Sequence, residues 1–320
     1  MPSPDALRAA AQRLADGGLV AFPTETVYGL GARADDDAAV AGIFAAKGRP
    51  ADHPLIVHVA EQADAEQFAA SLGDDARRLM QAFWPGPLTL IVPRRPGVAA
   101  AAAGGQDSIG LRMPSHPVAR ALLRAARALG VPGVAAPSAN RFGRVSPTTA
   151  AHVREEFGPA LMVLDGGPCE VGIESSIVDC TRGEPVLLRP GRLARSALQA
   201  VLGRPLRERD ALSPRASGTL EAHYAPRARV RMFDDAQALA AALAGAAPQG
   251  LAVYSRSELA LPAAVLHRRM PAEAGAAAHE LFAALRGFDA AGVTQIWVEA
   301  PPALPAWEGV ADRLRRAAAA

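Results

Sequence analysis

Leu19-Val20-Ala21-Phe22-Pro23-Thr24-Glu25-Thr26-Val27-Tyr28-Gly29-Leu30-Gly31 is the stretch on which the fold of this chain turns. Its first four residues are an uninterrupted apolar run, too short for a helix and fitted to a buried strand. Pro23 cannot continue a sheet ladder, and the hydroxyls, carboxylate and glycines that follow read as a loop. Upstream, residues 4–16 carry a helical pattern closed by Gly17-Gly18; downstream, Asp35-Asp36-Asp37 can cap a helix over 37–47 that stops at Gly48 and Pro50. Helix, strand, loop, helix is the signature of an α/β architecture. It repeats: strands are expected at 55–59, 88–92, 108–113, 133–136, 161–164, 176–179 and 186–188. Two helices over 61–83 and single helices at 116–129, 148–157 and 194–202 fall between them.

Past residue 203 the texture changes. Residues 203–228 hold Arg, Pro, Ser and Gly with little periodicity, which reads as a linker. A second α/β pattern follows, with strands at 230–233, 251–254, 264–268 and 295–299 and helices at 235–245 and 272–287. The expected organisation is a larger α/β domain over 1–203, a linker over 204–228 and a smaller α/β, Rossmann-like domain over 229–320.

Composition narrows the class. Half of the 320 residues are hydrophobic and the formal net charge is +2, so the chain can fill a core and carries no strong overall field toward nucleic acid or anionic membrane. Two cysteines, Cys169 and Cys180, suggest neither a disulfide framework nor a metal cage. The first residues lack a basic segment followed by an apolar core, and the alanine runs fall short of the ~20 apolar residues of a membrane span. The expectation is a cytoplasmic protein without membrane contact.

The familiar nucleotide signatures are missing. There is no G-x-x-x-x-G-K-[ST], Gly29-Leu30-Gly31 does not extend to G-x-G-x-x-G, and no G-x-S-x-G occurs. What occurs instead is five loops at strand ends, rich in small hydroxyls, amides, Gly and Pro: 22–31, 47–58, 108–114, 136–140 and 172–176. Ligands of open α/β sheets bind where such loops converge. One of these loops holds Lys47, the sole lysine among 34 Lys plus Arg. Arg is a planar fork and Lys a compact point charge, so Lys47-Gly48-Arg49 places both kinds of cation at one spot. A cation at a helix C-terminus is also favoured by the helix dipole, so the pattern alone leaves a solvated helix end open.

Pro23 to Gly31, Lys47-x-Arg49, Pro54-Leu55-Ile56-Val57-His58, Trp84-Pro85-Gly86-Pro87-Leu88-Thr89, Ser138-x-Asn140, Glu174-Ser175-Ser176 and Leu188-Arg189-Pro190-Gly191 together resemble the YrdC-like family of threonylcarbamoyl-AMP synthases. The resemblance runs through nearly all of residues 12–195 in the family's order. His223-Tyr224-Ala225-Pro226 and the added C-terminal unit resemble the family's longer, two-domain form.

The resemblance implies a YrdC-like twisted open mixed sheet with helices as the catalytic domain over 1–203, with the linker over 204–228 expected to fold over the active site. It also implies a reaction: L-threonine, bicarbonate or carbon dioxide, and ATP give threonylcarbamoyl-AMP and pyrophosphate for tRNA modification. Lys47 and Arg49 are then the catalytic cations, bearing on phosphates and carbamate. Thr26, His58, Arg112, Ala136 and Ser176 are the expected threonine site, with Arg112 suited to a bidentate grip on the carboxylate. His53, Ser108, Ser138, Asn140, Ser146, Arg189 and Tyr224 join Lys47 and Arg49 at the nucleotide. Magnesium is expected on the phosphates, hand-over to the tRNA threonylcarbamoyl-transferase machinery on release, and direct tRNA contact as a further partner.

Other readings stand beside these. His58 ends an apolar strand, as a satisfied core histidine would, and Arg189 fits a surface ion pair. Thr24 and Thr26 alternate as in a strand, so one of them is expected to face a ligand, and Thr26 is chosen. Trp84-Pro85-Gly86-Pro87 reads as a packing turn rather than a base platform. An RNA-binding protein of the same fold is the competing function, opposed by the near-neutral charge and the 5% aromatic content. A carbamoyl-phosphate-using relative would need zinc-finger or acylphosphatase segments, whose spacings are missing. Two positions depart from the family: His53 stands where Asn is common, and residues 216–222 lack the lysine usual before His-Tyr-Ala-Pro.

Overall fold

A computed structural model describes residues 1–320, which form two compact units. The first comprises Met1–Phe142 and Ser146–Thr219; the second comprises Gly143–Val145 and Leu220–Ala320. The segment to Thr219, read from sequence as part of the linker, therefore belongs to the first unit. Contacts within that unit hold it: Arg182 pairs with Asp210 at 3.0 Å, and Arg215 pairs with Asp52 at 2.7 Å.

The first unit is a ten-stranded mixed sheet with helices. Its opening elements are α1 (Pro4–Ala15), β1 (Val20–Phe22), β2 (Gly29–Arg33) and α2 (Asp37–Lys47). Then come β3 (Ile56–His58), α3 (Asp74–Phe83), β4 (Leu88–Pro93), β5 (Ser108–Arg112), α4 (Pro117–Ala128) and β6 (Val134–Ala135). The unit closes with α5 (Ala150–Phe157), β7 (Met162–Val163), β8 (Ser176–Asp179), β9 (Val186–Arg189), α6 (Arg195–Leu202) and β10 (Arg207–Glu208). The strand order is β10-β9-β8-β4-β5-β3-β6-β2-β1-β7.

Three readings change. Residues 29–31 are not loop: β2 pairs antiparallel with β1, Gly31 opposite Val20, and a Cβ on Gly31 would lie 2.7 Å from Phe22 and 2.8 Å from Val134. Glycine permits that close packing, so residues with low strand propensity form a central strand. The first of the two helices expected over 61–83 is a short 3-10 segment, Gln62–Gln67. The linker contributes β10, which pairs parallel with β9.

Period-2 alternation sorts the central strands into two faces. Val57, Leu90, Leu111, Val178 and Leu187 point into the main core, which α2, α3 and α6 help to build. Ile56, Ile91, Ile177, Val186 and Leu188 form a smaller cluster on the opposite face, and Ala216 packs against it. That second face also carries His58 and Arg112, two residues on from Ile56 and Gly110 in the β3–β5 register.

The second unit is an all-parallel sheet of β11 (Arg229–Phe233), β14 (Gln295–Glu299), β12 (Leu251–Ser255) and β13 (Leu266–Arg269), in that order. Its helices are α7 (Ala236–Leu243), α8 (Ala274–Ala290) and α9 (Glu308–Ala318). Sequence reading did not anticipate α9. Its charged and alanine-rich residues hide the stripe Val310, Leu314 and Ala317 that it buries.

Candidate functional site

Lys47 is buried because of its helical position. On α2 the buried residues Val40, Ile43, Phe44 and Lys47 follow i, i+3, i+4, i+7 spacing, so the stripe that packs the helix carries Lys47 inward. Asp36 caps the start of α2 through the amides of Ala38 and Ala39. Gly48 ends it with φ 64°, a left-handed conformation suited to glycine. That turn directs Arg49 away from the helix, which is why the two cations are separated by glycine.

The Lys47 ammonium donates to the Ser138 carbonyl at 2.6 Å and to the Asn140 carbonyl. An ammonium has three donors, so two are used by the loop after β6. Burial, with Arg49 as a second cause, pushes the Lys47 pKa well down. Arg49 donates to the Pro54 carbonyl at 2.9 Å and to Ser217 Oγ at 3.4 Å, and its guanidinium lies 5.6 Å from the Phe142 ring centre. His53 meets the same ring edge-on at 5.3 Å, half-buried, with its pKa lowered by burial and by Arg49.

A second cluster gathers at Arg112, the last residue of β5. Its Nη2 donates to Glu25 Oε1 at 2.6 Å and to Thr26 Oγ1 at 2.9 Å, and its Nε to the Gly86 carbonyl at 3.4 Å. Arg112 was read as free to grip a ligand carboxylate with both arms; Glu25 takes one of them. The choice between Thr24 and Thr26 also dissolves. Residues 23–28 are not a strand, and the two hydroxyls touch at 2.8 Å, so both side chains turn to the same interior. His58 lies opposite Arg112 in the β3–β5 register. Burial, then the Arg112 charge, lowers its pKa to about 3, so the ring is neutral near pH 7. His58 Nδ1 is buried with no hydrogen-bond partner, and the ring lies against the backbone of Ile56 and Val134.

A third set surrounds the β8 and β9 ends. Arg189 is buried, not at the surface: Nε donates to the Ser175 carbonyl, Nη2 to Ser175 Oγ and Nη1 to the Ser217 carbonyl at 2.8 Å. Ser175 Oγ also meets Thr89 Oγ1 at 2.8 Å. Ser146 donates to Glu174, and Ser176 Oγ donates to the Leu193 carbonyl at 3.3 Å. Gly191 lets this loop close: a Cβ there would lie 2.5 Å from Ser176 N and 2.7 Å from the Glu174 carbonyl oxygen. Gly191→Ala is expected to cost about 1–3 kcal/mol, because backbone atoms must move. A thermal melt reads it; an unchanged Tm would rule out the close approach.

Two loci are not gathered with the rest. Ser108 opens β5 while Arg112 closes it, on the same face but about 13 Å apart by strand geometry. Tyr224 belongs to the second unit, where it is fully buried at φ 62°, stacked on Phe282 at 5.4 Å with the Arg313 guanidinium 5.4 Å from its ring. Ala136 spends its N–H on the Ile56 carbonyl, so its backbone could offer a ligand only an acceptor. Trp84 is a packing residue, buried with its indole N–H on the Leu88 carbonyl.

Sequence reading passed over Glu25, Ser175 and Ser217. Glu25 sat in plain view within the 23–31 motif, whereas Ser217 carries no local signal: only the folded linker brings it to Arg49 and Arg189.

A family model described as telomere recombination, spanning Sua5, YciO and YrdC proteins, matches residues 12–191. A second, for the C-terminal domain of threonylcarbamoyl-AMP synthase, matches residues 193–319. The chain belongs to the threonylcarbamoyl-AMP synthase family. Threonylcarbamoyl-AMP synthase of Pyrococcus abyssi is 45% identical over 231 residues, 70% of this chain and 66% of that protein's own length. The Bacillus subtilis enzyme is 44% identical over 226 residues, 68% of this chain and 64% of its own length. Among solved structures, P. abyssi Sua5 complexed with L-threonine superposes with a TM-score of 0.89 at 37% identity, covering 98% of this chain and 94% of that one. The mixed sheet with a second, smaller parallel sheet is thus the architecture of this synthase family.

Proposed function

We propose that this chain is an L-threonylcarbamoyladenylate synthase. The observation that carries the reading is four buried cations in one unit: Lys47 at a helix end, Arg49 in the loop after it, and Arg112 and Arg189 at strand ends. Buried charge is costly, and a protein keeps it where an anion needs it. A threonine carboxylate, a carbamate and a triphosphate are three anions that repel one another, and this site answers each with a cation.

The chemistry begins with the threonine amine attacking the carbon of carbon dioxide and losing a proton to give a carbamate; from bicarbonate the same bond forms as a C–O bond breaks and water leaves. A carbamate oxygen then attacks the α-phosphorus in line. The bond from that phosphorus to the bridging oxygen breaks and pyrophosphate leaves with the electron pair. Such transfers depend mainly on positioning and charge stabilisation. Arg112, Thr26, neutral His58, Ser176 and the Ala136 carbonyl hold threonine. Lys47 and Arg49 bear on carbamate and phosphates, where a preorganised cation stabilises charge that develops in the transition state. Arg189, Ser138, Asn140, Ser146, Ser108 and His53 serve the nucleotide. Magnesium arrives with the nucleotide: no group of three or more His, Cys, Asp or Glu side chains here could hold an ion alone. The linker stretch around Ser217, which meets Arg49 and Arg189, borders the nucleotide. The product passes to a tRNA-modifying transferase, and the setting is the cytoplasm; no helix is long and apolar enough to cross a membrane.

The test is product formation from labelled ATP, L-threonine, bicarbonate and magnesium. Pyrophosphate should appear only when threonine and bicarbonate are both present. Release independent of either would overturn the assignment.

A further inference from the structure

We infer that Glu25 is the positioning residue of the threonine site: it aims the Arg112 guanidinium and leaves a single arm, Nη1, for the amino-acid carboxylate. This rests on the synthase reading above and goes beyond it in naming how the site recognises its amino acid.

The geometry is specific. Glu25 and Arg112 are both almost fully buried, and their ion pair is 2.6 Å long. Glu25 is itself fixed at two further points. Its Oε2 accepts the Ser115 amide at 3.1 Å, and its backbone carbonyl accepts the Val171 amide at 2.8 Å. Arg112 is thereby held by a carboxylate that cannot swing. Its Nε and Nη2 are committed to Gly86, Glu25 and Thr26, while Nη1 makes no hydrogen bond within the protein. A free guanidinium would meet a carboxylate with two parallel arms. Here one of those arms is occupied, so the carboxylate is met at the Nη1 end, in a fixed direction. Glu25 also offsets a buried positive charge that would otherwise be left unpaired.

A residue acting only on stability would weaken all ligands together, whereas one that aims Arg112 weakens threonine alone. The experiment first establishes threonine- and bicarbonate-dependent pyrophosphate release in the unmodified chain; its absence would sink the synthase reading and not this one. Calorimetric titration of L-threonine and of ATP into folded Glu25→Gln then reads the two affinities. The expected result is a threonine Kd raised at least 10-fold with the ATP Kd within 2-fold. Equal weakening of both, or an unchanged threonine Kd, overturns the inference. A double-mutant cycle with Arg112→Met adds a readout that a structural role would not move: Glu25→Gln should change the threonine Kd less than 2-fold when Arg112 is absent. A full effect in that background overturns it. Should Glu25→Gln not fold, Glu25→Asp keeps the charge one methylene short and carries the same two titrations.

Discussion

Lys47→Arg is expected to leave the fold standing while threonine- and bicarbonate-dependent pyrophosphate release falls by about 100-fold or more, the scale seen when one preorganised charge-stabilising donor is removed. The reason lies in the space around Nζ. The ammonium reaches between the Ser138 and Asn140 carbonyls from a helix face whose other residues are packed in the core. A guanidinium is broad and planar and cannot sit as a point charge between two carbonyls on the same stem. Charge is kept but its position is lost. Fitting the larger group costs about 1–3 kcal/mol, which the unit can bear. Lys47→Met separates shape from charge, since it fills similar space without the ammonium; it should be equally inactive. Steady-state pyrophosphate release beside a thermal melt checks both variants. Wild-type turnover in Lys47→Arg would refute any special role for the ammonium.

Arg112→Ala should fail in two separable ways. It removes the arm proposed to meet the threonine carboxylate, so the threonine Kd should rise by about 100-fold and stay measurable. It also strands the Glu25 carboxylate, which is almost fully buried. Breaking a buried pair from one side costs about 3–5 kcal/mol, on the order of 10 °C in Tm for a unit of this size. The double variant Glu25→Ala/Arg112→Ala removes the stranded charge, so it should recover part of that Tm with no recovery of threonine binding. Thermal unfolding of the three variants decides this. A single variant that melts with the unmodified chain would show that the pair carries no weight in the fold.

Much of the first unit was legible because its strands are short apolar runs bounded by Gly and Pro, and because its helices have clear starts and stops. The strand Gly29–Arg33 was not, since its residues form a strand only when Phe22 and Val134 pack against Gly31. The helix Glu308–Ala318 escaped for the opposite reason, its apolar stripe being thin among charged residues. At the site, Lys47 and Arg49 were legible from residue type and spacing. The arrangement of Arg112 was not: it depends on Glu25, 87 positions away in the chain.

By itself the sequence determined the α/β class and the family, and it named the cations that are candidates for the site. Those follow from local periodicity, turn chemistry and motif order, which are properties of neighbouring residues. Tertiary structure alone decided how the cations are held. Lys47 is held between two carbonyls of a loop over 90 residues away, Arg112 has one arm taken by Glu25, and Ser217 of the linker reaches both Arg49 and Arg189. The physical reason is that hydrogen bonds and ion pairs act over about 3 Å of space. Only the folded sheet sets those distances.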